Sequence, residues 1–236
     1  MHIRHLGLVD YPSTAAAMQA WTEARSAHTG DELWLCQHLG VYTLGTAGDA
    51  RHVLAAGDIP IVRTTRGGQV TYHGPGQVVA YPLLDLRRRG LLIRDYVHRL
   101  EEAAIATLRA FGLHGQRVAG APGVYVPWPG PDAAHRSDAA NPDGAAHGPA
   151  ALAPDAPAPG FAGLAKIAAL GIKVSRGCSY HGLALNVAMD LQPYRQINPC
   201  GYAHLATCDM RSLGVSADWE TVAACLAEQL QAQLAA

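Results

Sequence analysis

KIAALGIKVSRGCSYHGLALNV, residues 166–187, is the stretch whose reading decides the fold. Lys166–Val174 and Cys178–Val187 are largely apolar runs of strand length. Ser175-Arg176-Gly177 between them supplies a tight turn, so the stretch predicts a β-hairpin. Working outward, Leu33–Cys36, Val41–Leu44, Pro60–Thr64 and Val124–Val126 read as further short strands. Gln69–Tyr72 and Gln77–Leu84 read as a strand pair joined by His73-Gly74-Pro75-Gly76. Helical spacing appears three times. Thr14–His28 follows Ser13 as N-cap and stops at Gly30. Arg94–Phe111 repeats Val97, Leu100, Ala104, Leu108 and Phe111 before Gly112. From about Ala217 to Leu234, one face carries Val222, Leu226, Leu230 and Leu234. Helices mixed with turn-linked strands predict an α/β (α+β) domain, with mixed, largely antiparallel sheets flanked by helices.

The 236 residues and 49% hydrophobic content suffice for one sizeable core, so residues 1–236 are expected to form one domain. Residues 127–160 stand apart: eleven are Ala, eight Pro and four Gly. That composition cannot bury enough surface to offset ordering entropy, and it predicts a flexible surface insertion. A net charge of −1 gives no basic surface for nucleic acid. No run approaches the roughly 18 apolar residues of a membrane span, and the N-terminus opens no signal-peptide pattern. A cytoplasmic protein is expected. Five cysteines without a Cys-x-x-Cys pair fit a reducing compartment.

Three stretches carry more polar and glycine residues than a sheet requires. In the first, Arg66-Gly67-Gly68-Gln69-Val70-Thr71-Tyr72-His73-Gly74-Pro75-Gly76-Gln77, paired glycines allow a ligand close to the backbone, and the clustering of Arg66, Thr71, Tyr72, His73 and Gln77 points to binding. It matches neither a phosphate loop nor a dinucleotide fingerprint. In the second, regular alternation would put Lys166 on one apolar face with Ala168, Leu170, Ile172 and Val174. Desolvation there would lower the amine's pKa and leave it neutral, able to accept a proton. In the third, Pro199 and Gly201 make Cys200 a turn residue. It is the best nucleophile candidate, whereas Cys178 and Cys225 read as packing residues. Cys200, His204 and Cys208 fall at four-residue steps, but Pro199 and Gly201 argue against a helix there and no fourth ligand is evident, so no metal is expected.

Together, RGGQVTYHGPGQ (66–77), PGVYV (122–126), KIAALGIKVSRGCSYHGLALNV (166–187), INPCGY (197–202) and LWLCQHLGVYTLG (33–45) resemble the octanoyltransferase family, the lipoyl(octanoyl) transferases or lipoate–protein ligase B. The resemblance spans the chain except 127–160; Lys173 stands where arginine is more usual. It implies the fold of biotin and lipoate protein ligases. It implies transfer of octanoyl from octanoyl-acyl carrier protein to a lysine of lipoyl domains, those of 2-oxoacid dehydrogenase E2 subunits and glycine cleavage H protein. It implies a Cys200–Lys166 dyad and no cofactor. Substrate contacts would fall on Arg66–His73, on Ala169, Leu170 and Gly171, and on Gly182, Leu183 and Ala184, with His181 as a possible support. A monomer is expected. The rival readings are an ATP-dependent lipoate or biotin ligase, a thioesterase, and a non-catalytic acyl-carrier-binding module.

Overall fold

In the computed structural model, which describes residues 1–128, 160–203 and 205–235, the deciding hairpin is β9 (Leu164–Ser175) and β10 (Cys178–Asn186). Arg176 (φ 51°) and Gly177 (φ 83°) form its two-residue turn, and Cys178 pairs with Ser175. Two successive positive φ angles match the twist of the flanking strands.

The remaining strands are β1 (His2–Val9), β2 (Glu32–His38), β3 (Val41–Leu44), β4 (Ile61–Arg63), β5 (Val70–His73), β6 (Gln77–Leu83), β7 (Gln116–Val118) and β8 (Ala121–Pro127). The large sheet runs β1-β2-β6-β10-β9-β8-β7, antiparallel except for β1·β2. The small sheet runs β4-β3-β5. The expected pairing of the segments around His73-Gly74-Pro75-Gly76 is therefore corrected: β5 pairs with β3 and β6 with β2 and β10, in different sheets. His73-Gly74-Pro75-Gly76 is a crossover between layers. β1 and β7 have mixed polar sequences that signalled no strand.

Helices α1 (Tyr11–Glu23), α2 (Ile93–Ala110) and α3 (Trp219–Leu234) complete the fold. α1 starts earlier than expected because Asp10, not Ser13, accepts the capping bond from the Ser13 N–H, and it ends at Glu23. Alternation in the central strands explains the layers. Leu33, Leu35, Val78, Ala80, Leu183 and Leu185 pack beneath α2 and α3, against Leu100, Leu108, Leu226 and Leu230. Trp34, Cys36, Val79, Tyr81 and Ala184 point the other way, onto Met18 of α1. Both faces are covered, so β2 and β6 read as continuous apolar runs. Tyr42, Leu44, Val70, Tyr72, Met189, Tyr194 and Ile197 form a separate core on the small sheet. The 127–160 insertion lies almost wholly outside the described residues. Among those described, no helix is long and apolar enough to cross a membrane.

The glycine-rich segment is anchored on the end of β3. Thr46 N–H donates to the Arg66 carbonyl at 2.8 Å and Ala47 N–H to that of Gly68 at 3.2 Å. A methyl group on Gly45 would sit 2.2 Å from the Gly68 oxygen. Gly45→Ala should therefore displace the 66–68 segment and cost about 1–3 kcal/mol by overpacking, read as a lower thermal midpoint. An unchanged midpoint would contradict this anchoring.

Candidate active site

Cys200 occupies a short 3-10 turn, Pro199–Gly201, with φ 58° and ψ 17°. A non-glycine residue in this left-handed region is strained and is held there by its surroundings. Gly201 N–H closes the turn on the Asn198 carbonyl at 2.9 Å, so that amide is already engaged. Asn198 N–H is tied to the His52 carbonyl at 2.8 Å. Downstream, the chain returns to the backbone of Lys166. Lys166 N–H donates to the Ala206 carbonyl at 2.8 Å, and Cys208 N–H to the Lys166 carbonyl at 3.1 Å. Both candidate residues are thus fixed to one stretch of backbone.

Lys166 is 4% exposed, and its Nζ lies 2.9 Å from Cys200 Sγ. It also donates to the Pro122 carbonyl at 2.9 Å and to the Tyr125 hydroxyl at 3.3 Å. An ammonium has three N–H donors, and each has a partner here. Two expectations about this residue are corrected. First, its alternation is not regular: the β8–β9 register slips between Val124 and Tyr125, opposite Ala168 and Lys166. Ala168, Leu170, Ile172 and Val174 pack with the main core, with Leu170 and Ile172 also reaching the cavity, while Ala169 and Gly171 line the cavity beside Lys166. Second, the amine is not made neutral. Burial pushes its pKa down, but the charge of Cys200 as thiolate, Tyr125, and the hydrogen bonds to both outweigh burial and hold it above the ordinary lysine value.

A cavity of about 340 Å³ opens at this pair. Arg66, Gly67, Gly68, Gln69, Val70, Thr71 and His73 line it on one side. Ala169, Leu170, Gly171, His181, Gly182, Leu183 and Ala184 line it on the other. Tyr72 is the exception among the expected contacts. It belongs to the small-sheet core, its ring against Tyr42 and Tyr194, because β5 alternation turns it away from Thr71 and His73. The sequence reading missed Tyr11, Val79, Tyr81, Pro122 and Tyr125 as cavity wall. Pro122 and Tyr125 lie in the quoted PGVYV motif, whereas Tyr11 had no local signal.

Arg66 is 6% exposed and has no carboxylate partner among the described residues. Its guanidinium donates to the carbonyls of Thr43 (2.6 Å), Gly67 (2.8 Å) and Gln69 (2.9 Å), bracing the loop while leaving a buried positive charge at the cavity. Three buried histidines lie nearby. His38 donates from Nδ1 to the Val9 carbonyl at 3.0 Å and accepts from the Tyr81 hydroxyl at 2.7 Å. His73 Nδ1 bonds Gln77 at 2.7 Å. His181 has φ 59°, which breaks strand alternation and brings its ring among Tyr11, Tyr81 and Tyr180; among the described residues its Nδ1 has no hydrogen-bond partner. Burial lowers their pKa values to about 4 for His38 and about 3 for His73 and His181. Burial likewise pushes the Cys36 and Cys208 thiols up to about 12, the opposite of what a reactive thiol needs. Among the described residues no cluster is placed to hold a metal ion. His204, part of the weighed metal pattern, lies outside them.

Comparison with known proteins accords with this geometry. The Lipoyl protein ligase A/B catalytic domain family matches residues 10–231. An octanoyltransferase of Albidiferax ferrireducens is 55% identical, over 99% of this chain and 97% of that protein. The chain belongs to the octanoyltransferase family. The octanoyltransferase fold recurs at low sequence identity. A bipartite lipoate protein ligase of Thermoplasma acidophilum superposes with a TM-score of 0.67 at 15% identity, covering 100% of this chain and 84% of that one. The apo biotin protein ligase of Aquifex aeolicus superposes at 0.52 and 10% identity, covering 99% and 69%.

The neutral histidines make an acid-stability prediction. A depressed histidine pKa means that the unfolded chain binds protons the folded chain does not. Stability present above the unfolded value of 6.5 is therefore lost as pH falls toward 4. Each histidine contributes a slope of up to about 1.4 kcal/mol per pH unit. Thermal midpoints should begin falling near pH 6.5, and less steeply in His181→Asn. Midpoints flat down to the carboxylate range would contradict the buried-neutral assignment.

Proposed function

We propose that this octanoyltransferase takes an octanoyl group from octanoyl-acyl carrier protein as a thioester on Cys200, then passes it to a lysine of a lipoyl domain. The 2.9 Å contact between Lys166 Nζ and Cys200 Sγ carries the reading. Lys166 holds the cysteine proton as the sulfur attacks the carrier thioester carbonyl as thiolate. A new C–S bond forms and the old one breaks. The departing carrier thiolate takes the proton from the Lys166 ammonium.

Acylation removes the negative charge that held the proton on Lys166. Burial then dominates, favouring the neutral amine. With N–H bonds to Pro122 and Tyr125, its lone pair faces the acyl sulfur. There it accepts a proton from the acceptor lysine as that amine attacks. The Cys200 thiolate leaves and the original ion pair is restored. Thioester exchange is near thermoneutral and amide formation is downhill, so no ATP is consumed. The buried Arg66 charge favours the thiolate and the developing oxyanion. The acceptors are the lipoyl domains of 2-oxoacid dehydrogenase E2 subunits and of glycine cleavage H protein, in the cytoplasm.

The test is mass spectrometry of the protein incubated with octanoyl-acyl carrier protein. One octanoyl adduct should map to Cys200 and discharge when an apo lipoyl domain is added. Cys200→Ser should abolish transfer, and Lys166→Met should slow it at least about 10²-fold. An adduct on Cys36 or Cys178, or turnover that requires ATP, would overturn the assignment. Release of free octanoate without an acceptor would instead identify a thioesterase.

A further inference from the structure

Glu101 of α2 is a buried carboxylate, 7% exposed, that the relay above does not use. Its Oε1 accepts the Gly123 N–H at 2.9 Å, and its Oε2 accepts from Arg117 Nε at 3.0 Å. Gly123 has φ 136°, a conformation that favours glycine, and a Cβ there would lie 2.7 Å from Lys166 Cε and 2.8 Å from its Nζ. Here β8 slips register against β9, and the preceding carbonyl, Pro122, turns onto Lys166 Nζ at 2.9 Å. A buried N–H at such a point requires an acceptor, and Glu101 reaches across from the helix to supply it.

We propose that Glu101 is a positioning residue for the transfer step: by holding the Gly123 amide, it fixes the Pro122 carbonyl, and with it the direction of the Lys166 amine. The inference rests on the proposed acyl relay and deepens it. In the free enzyme, Cys200 itself orients the ammonium. In the acyl-enzyme that attraction is gone, and Pro122 and Tyr125 alone aim the lone pair. Glu101 therefore matters more for discharge of the octanoyl group than for its loading.

Single-turnover measurements separate the two steps. Each variant is loaded with octanoyl-acyl carrier protein, the adduct is quantified by intact mass, and apo lipoyl domain is then added. Glu101→Ala should load Cys200 close to the wild-type extent and discharge about 10- to 100-fold more slowly, the scale of a misplaced catalytic group. Glu101→Asp keeps the charge but shortens the reach to Gly123, and should discharge as slowly. Glu101→Gln keeps the reach without the charge and should recover most of the rate. The Asp and Gln variants decide the matter if the Ala variant does not fold. Wild-type discharge by Glu101→Asp, or a Gln variant as slow as Asp, would overturn the proposal. A wild-type protein that forms no Cys200 adduct would instead refute the acyl relay itself.

Discussion

A thiol and an amine 2.9 Å apart, with the amine 4% exposed, is an arrangement that no single element of this fold could hold. Desolvation works against an ammonium in such a place, and the sulfur's charge works for it; the second effect wins. The surrounding structure serves that balance. The slip in β9 turns Lys166 toward the cavity. The left-handed turn at Cys200 presents the sulfur. The chain leaving that turn then pairs with the Lys166 backbone through Ala206 and Cys208, tethering the two residues to one another.

The rest of the cavity keeps competing charge away from the pair. His38, His73 and His181 are buried and uncharged at neutral pH, so they add no positive charge to rival Lys166. Arg66 is the exception, a buried cation hydrogen-bonded to neutral carbonyls and to Thr43. Its charge is fixed by the loop it braces and faces a site where negative charge develops in the proposed reaction. A fixed charge of this kind needs no reorganisation when the transition state forms.

Much of this was legible in the chain. The 166–187 hairpin, the two long helices and the meeting of Cys200 with Lys166 follow from turn residues, periodicity and family resemblance. What could not be read was wherever alternation breaks. The one-residue slip near Lys166 exchanged its expected neighbours, and the positive φ of His181 moved its ring to the other face of the strand. Tyr72 failed for the opposite reason: regular alternation carried it out of a motif whose neighbours do line the cavity. β5 and β6 looked like a hairpin because crossovers between layers use the same turn residues as hairpins do. Burial of Lys166 was legible in the sequence, and so was an ammonium paired with the Cys200 sulfur; that the sulfur outweighs burial in the free enzyme was not, because it depends on the 2.9 Å separation.

The central claim is that the proton on Lys166 follows the charge on Cys200. Nitrogen NMR of a 15N-lysine-labelled protein, with Lys166 assigned through its substitution, observes that proton directly. Near pH 8 the Nζ signal should be that of an ammonium in the free enzyme and of a neutral amine once Cys200 carries the octanoyl group. An ammonium signal that persists unchanged after acylation, or a neutral amine already present in the free enzyme, would contradict the account.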